Sequence, residues 1–219
     1  MLSVCIAHSA RSRIQARGRL IELFPRCLDS LCAAVSETGI AAELVVADYP
    51  QNRDAGPPLA EWLPPACTIP AQIVEMTGEW DKGAALNAAA AAAGGDVLFF
   101  LDCDFLVVAE VLRRGTAYAR NGKVWFPGYL AQDARTGKFD HVPGRMGCGN
   151  LFVGRALFDE WGGWPSATQH GVVDQPAGRY FAGRGLSAES INYRPPVDGF
   201  VHLWHPKYRG WKRRKDAAC

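Results

Sequence analysis

Asp102 and Asp104 stand two residues apart, directly after the apolar run Val97–Leu101. Carboxylate oxygens at that spacing can both lean toward one hard cation such as Mn²⁺ or Mg²⁺. A D-x-D arises by chance roughly once in a chain holding 13 aspartates, so the bare pattern says little. Its position says more. Two desolvated like charges at the end of a buried strand repel one another unless a cation or a donor compensates them. His202 and His205, in the segment His202–Pro206, offer imidazole nitrogens that suit the same ions. A strand would send residues three apart to opposite faces, whereas a turn would bring them together. The candidate metal ligands are therefore Asp104, Asp102, His205 and His202, with the choice between the two histidines open.

Other chemistries lack their residues. The chain has no G-x-G-x-x-G, no P-loop, no G-x-S-x-G and no H-E-x-x-H. His8 and Ser9 are adjacent, and neighbours on a strand face apart, which makes them a poor nucleophile pair.

The elements that must position the aspartates alternate. Leu2–Ala7 reads as a buried strand, and a polar turn follows from His8 to Arg13. Leu20, Ile21, Phe24, Leu28, Leu31, Cys32 and Val35 recur at helical spacing, with Pro25 predicting a kink or a late start and Gly39 a stop. Glu43–Ala47 is a second buried strand that delivers Asp48 at its carboxyl end. A proline-rich connection with a short helix near Leu59–Leu63 leads to a third strand, Ile73–Met76. Lys82–Ala93 is an alanine-rich helix stopped by Gly94 and Gly95. The strand Val97–Leu101 then ends in the D-x-D. Alternating strands and helices predict an α/β fold: a mostly parallel sheet flanked by helices, in a single domain. Ligands bind beyond the carboxyl ends of such strands, where both Asp48 and the D-x-D fall. The second half is less regular. It holds a helix over Glu110–Ala119, strands over Val124–Phe126 and Leu151–Val153, a helix near Ala156–Trp161 and a helix over Asp174–Arg184, and Val201–His205 closes the ordered part.

The 219 residues, 48% apolar and 21% charged, suffice for one domain with a real core. No run approaches the roughly 20 apolar residues that cross a bilayer, and no secretory signal opens the chain, so a cytoplasmic protein without a transmembrane segment is expected. Seven cysteines are scattered without a C-x-x-C pair and read mostly as buried, reduced thiols. Six basic residues and one acid follow Pro206, so that tail carries +5 and the rest of the chain −3 within a net charge of +2.

Four segments in order resemble the GT-A class of nucleotide-sugar glycosyltransferases, particularly family-2-like enzymes. They are Glu43–Tyr49, Lys82–Asn87, Gly95–Asp104, and Gly149–Asn150 with Arg155–Gly163; the Asp174 region and His202 and His205 then follow where the catalytic carboxylate and the last metal ligand belong. The likeness covers about 180 residues and implies a GT-A, Rossmann-like fold over residues 1–205, with 206–219 as a basic tail. It implies that Asp48 contacts uracil, that Asp102 bridges the metal shell and the donor ribose, and that Asp174 is the general base. The second half is similar to the galactosyltransferase and polypeptide N-acetylgalactosaminyltransferase region. That region normally carries a Glu-Asp pair followed by more acids, whereas here Asp174 is the one carboxylate in the stretch 171–176. Lys82 and Asn87 could hydrogen-bond the base, and Arg11 and Arg13 could reach the diphosphate or the uridine. Trp80, Trp161 and Trp164 could stack on an acceptor sugar or simply pack.

The implied activity is a metal-dependent, inverting transfer of a sugar from a UDP-sugar to an acceptor hydroxyl of a saccharide, lipid-linked or small molecule. Two alternatives remain at this point: a hydroxylated base in DNA as acceptor, or a UDP-binding module without catalysis. The basic, aromatic tail could serve nucleic acid or an anionic surface, or be a solvated terminus.

Overall fold

The structure, a computed structural model, describes residues 1–9, 12–50, 59–64, 67–141, 149–166, 174–189 and 195–206. Its centre is a five-stranded sheet built from β1 (Leu2–His8), β4 (Ala42–Asp48), β5 (Ala71–Glu75), β6 (Val97–Phe100) and β10 (Leu151–Gly154), in the order β10-β6-β1-β4-β5. The first four run parallel, and β10 joins β6 antiparallel. The expected α/β sheet is present.

Side-chain alternation explains why these strands read as continuous apolar runs. Leu2, Val4 and Ile6 of β1, Leu44 and Val46 of β4, and Val97 and Phe99 of β6 enter one core. The intervening Cys5, Val45, Ala47, Leu98 and Phe100 enter the core on the opposite face. A strand covered on both faces needs apolar residues at every position. One face is covered by α1 (Phe24–Thr38) and α3 (Ala109–Arg120), the other by α2 (Lys82–Ala92), α4 (Arg155–Trp161) and α5 (Asp174–Gly183). The small side chains Ala85, Ala89 and Ala90 let α2 lie close on β1 and β4.

Three features depart from the sequence expectation. First, Leu20 and Ile21 belong to a hairpin, β2 (Arg13–Ala16) with β3 (Arg19–Glu22), and not to α1. Pro25 marks the first turn of α1, where its missing N–H is one the helix would leave unpaired anyway. Gly39, in the left-handed conformation at φ 64°, ends that helix as expected. Second, Val124 and Trp125 form isolated bridges to Ser187 and Phe152 rather than a strand. A second sheet, unforeseen in most of its parts, comprises β7 (Phe105–Leu106), β11 (Pro196–His202), β8 (Gly128–Gln132) and β9 (Phe139–His141), in that order. Third, Cys32 and Cys67 form a disulfide, Cα atoms 5.4 Å apart, which ties α1 to the segment before β5. The expectation of reduced thiols holds for Cys5, Cys27 and Cys103, which are buried and carry no disulfide, and fails for this pair; Cys148 and Cys219 lie outside the described residues. No helix among the described residues is long and apolar enough to cross a membrane.

Burial pushes the Cys5 thiol up to about 12 and the Cys27 thiol well above its ordinary value. Thiolate, the reactive form, is therefore scarce at both positions at neutral and mildly alkaline pH. Alkylation of the native, unreduced protein near pH ~8 should leave Cys5 and Cys27 unmodified, and peptide mapping should recover Cys32 linked to Cys67. Modified Cys5 in the native protein would contradict this burial.

Candidate active site at the carboxyl edge of the sheet

The parallel register aligns strand ends. His8 lies beside Asp48 across β1 and β4, and β6 stops two residues before Asp102. The chain then turns through Asp102–Asp104 into β7. There, antiparallel pairing sets Phe105 opposite His202, and the Leu203 N–H donates to the Asp104 carbonyl at 2.8 Å. That register delivers His202 to the D-x-D. His205 follows the strand in irregular chain, where it lies alongside His202 with ring centroids 5.4 Å apart. The Trp204 N–H, donating to Gln132 Oε1 at 3.1 Å, helps to hold this turn.

Asp104 is 6% exposed, yet its Oδ2 lies 2.8 Å from His205 Nε2 and 3.6 Å from His202 Nε2. Burial alone would raise its carboxyl. The hydrogen bonds and positive charge of the two histidines outweigh that effect and hold it below the usual aspartate range. The three donor atoms lie within 4.8 Å of one another. That separation is close to what two bonds of about 2.1 Å to one ion can span. One carboxylate oxygen and two imidazole nitrogens suit Mn²⁺ and related divalent ions, so the residues present fit a metal.

Asp102, the other acid of the motif, is engaged differently. Its Oδ1 pairs with Lys82 Nζ at 2.7 Å, and its N–H donates to Asn150 Oδ1 at 2.9 Å. Lys82 opens α2, where the Asp81 side chain caps the helix by accepting from Ala84 N–H at 2.9 Å. Gly149 lies against the pair: a Cβ there would sit 2.5 Å from Asp102 Oδ2 and 3.1 Å from Lys82 Nζ. The absence of a side chain at 149 is thus required by the Lys82–Asp102 contact.

Asp48 is buried, with Oδ1 2.8 Å from His8 Nδ1. Asn87 uses both ends of its amide on Trp164, accepting from its N–H and donating to its carbonyl, each at 2.8 Å. Arg13 donates to Glu22 at 2.9 Å within the hairpin and lies over the Trp62 ring at 4.7 Å. Trp164 is buried in an aromatic cluster with Trp161 and Phe100, while Trp80 meets the edge of Tyr49. Asp174 is the first residue of α5, and its side chain lies outside the described residues, as do Arg11 and the tail 207–219. Asn150 and His8 were given no role by sequence reasoning. The apolar run Leu151–Val153 carries a polar residue directly before it, and that is the available signal for Asn150.

A mostly parallel sheet with a D-x-D at its carboxyl edge, joined by a histidine-bearing strand from a second sheet, defines the GT-A fold. The chain belongs to glycosyl transferase family 2, whose profile matches residues 16–159. Solved structures agree in fold. S. aureus TarS 1–349 in complex with UDP-GlcNAc is 12% identical, aligned over 94% of this chain and 59% of that one, with a TM-score of 0.63. The mannosyltransferase PcManGT from Pyrobaculum calidifontis, in complex with GDP-Man and Mn²⁺, is 20% identical over 98% and 60%, TM-score 0.60. The catalytic domain of Drosophila β1,4-galactosyltransferase 7, in complex with xylobiose, is 14% identical over 98% and 79%, TM-score 0.58. The chain therefore spans about three fifths of the length of the first two. No curated protein sequence matches it significantly.

A carboxyl held low in the folded state contributes stability that is complete above its unfolded value near ~4 and is lost as pH falls through the folded value. In buffer containing EDTA, Asp104→Asn should therefore show a shallower loss of stability than wild type below pH ~4. Parallel acid limbs would mean that His202 and His205 do not stabilise the carboxylate.

Proposed function

We propose that this protein is a metal-dependent, inverting glycosyltransferase that moves a sugar from a UDP-sugar to an acceptor hydroxyl. The observation that carries this reading is the convergence of Asp104, His202 and His205 at the carboxyl edge of a GT-A sheet. The family supports a glycosyl donor, and the presence of UDP-GlcNAc in TarS and of GDP-Man with Mn²⁺ in PcManGT supports a nucleotide sugar with a divalent ion.

In this reading Asp104 and the two histidines hold Mn²⁺ or Mg²⁺, which when bound neutralises charge on the departing diphosphate. Asp48, at the end of β4, accepts from the base. Asp102, fixed by Asn150 and Lys82, faces the ribose side of the donor, and Lys82 brings positive charge to the same edge. Asp174 takes the proton from the acceptor hydroxyl as general base. The acceptor oxygen bonds to the anomeric carbon as its bond to the diphosphate oxygen breaks, and UDP leaves with that electron pair. Attack from the face opposite the leaving group inverts the anomeric centre.

Calorimetric titration of UDP in Mn²⁺ and then in EDTA tests the reading. Binding should require the ion, and Asp104→Ala should weaken it by about tenfold or more. No binding under either condition would overturn the donor assignment. Asp174→Asn should keep UDP binding while lowering transfer by about 10²–10⁴. Gly149→Ala meets only side-chain ends, so its melting temperature should stay near that of wild type. Its UDP affinity should nevertheless fall about tenfold, because Lys82 and Asp102 are pushed apart.

A further inference from the structure

Behind Asp48 lies a chain of buried hydrogen bonds. His8 Nδ1 is 2.8 Å from Asp48 Oδ1, and His8 Nε2 is 2.8 Å from Ser12 Oγ. His8 and Asp48 are 0% and 1% exposed, and Ser12 is 8% exposed. The Phe24 ring packs on the imidazole with centroids 4.6 Å apart. The backbone fixes the same pair, since the Tyr49 N–H donates to the His8 carbonyl at 3.1 Å. A carboxylate only accepts, so the Nδ1 hydrogen points to Asp48, and the Ser12 hydroxyl engages the other ring nitrogen. These three residues have the connectivity of a nucleophilic triad. Here, however, the serine is buried at the protein's interior, and the bonds serve to fix the carboxylate.

We propose that His8 is a positioning residue for nucleobase selection. It holds the Asp48 carboxylate as an oriented acceptor at the sheet edge, so that the site takes a base presenting a ring N–H between two carbonyls and rejects one presenting a lone pair there. This rests on the nucleotide-sugar reading above. A carboxylate can accept about four hydrogen bonds, and His8 supplies one of them. Uracil supplies the ring N–H. Cytosine offers a ring nitrogen lone pair at the same position, which would face the carboxylate without a hydrogen between them. Discrimination of this kind depends on the acceptor being held still, because a carboxylate free to rotate can relieve the clash.

The test compares UDP and CDP affinity, with Mn²⁺ present, in wild type, His8→Asn and His8→Leu, each shown folded by circular dichroism. Wild type should prefer UDP by about 30-fold or more. His8→Asn, whose amide can still donate to Asp48, should keep most of that ratio. His8→Leu should bring it to within about threefold. A folded His8→Leu protein that keeps the wild-type ratio would overturn the proposal, as a purely structural role predicts. Wild type that binds neither nucleotide would instead overturn the donor reading. Should His8→Leu not fold, ¹⁵N-histidine spectra of wild type decide. A protonated Nδ1 on His8 whose resonance moves on UDP addition supports the assignment, and a resonance unmoved at saturation refutes it.

Discussion

Three carboxylates, Asp48, Asp102 and Asp104, are brought to one edge of one sheet, and each must be compensated there. Water cannot do it for Asp48 and Asp104, which are buried. A buried charge without a partner costs several kcal/mol, roughly the whole margin of stability of a domain this size. Each carboxylate therefore has a donor from another element: His8 of β1 for Asp48, Lys82 of α2 for Asp102, and the two histidines around the end of β11 for Asp104. The positions of β1, α2 and β11 relative to β4 and β6 are thus conditions for the edge to exist at all.

The supporting structure is organised around those donors. Helix α2 is anchored at both ends, which fixes Lys82. Asp81 caps its first turn and accepts from the Ser166 hydroxyl, and Asn87 clamps the Trp164 backbone. At the far end Arg155 donates to the carbonyls of Ala90, Ala93 and Gly95 at 3.1, 2.6 and 2.9 Å, pairing carbonyls of the last turn, of the cap and of the segment that follows. The antiparallel strand β10 places Gly149 and Asn150 over the D-x-D. The β2–β3 hairpin reaches across as well: the Arg17 guanidinium lies 4.9 Å over the Trp204 ring, between the two metal-ligand candidates in sequence.

The parallel sheet was legible because its strands are covered on both faces, which forces apolar residues at every position, and because glycines and prolines punctuate them. The D-x-D was legible for the same reason: charge at the end of such a run is conspicuous. The second sheet was not. Its strands are short or half exposed, and β7 is two residues long, so it exists through pairing with β11 rather than through any local pattern. The hairpin was hidden because Leu20 and Ile21 fall at helical spacing from Phe24, and periodicity alone cannot tell a helix start from a strand that ends beside it. His8 escaped notice because its partners, Ser12 and Asp48, meet it through strand register and a turn. Local sequence suggested only the neighbouring Ser9.

The neutralisation of Asp104 also orders how the molecule comes together. Its nearer histidine lies 101 residues later in the chain. Strands β1, β4, β5 and β6 all lie within the first hundred residues and can pair among themselves. Closing the long loop that brings β11 to β7 adds little entropy beyond that of a shorter one, but it is slow, since distant contacts are reached late. Until that closure, Asp104 lacks both of its histidine partners. Docking of β11 and completion of the site are consequently one event, so a chain that has not finished folding holds no assembled cluster of metal-binding side chains.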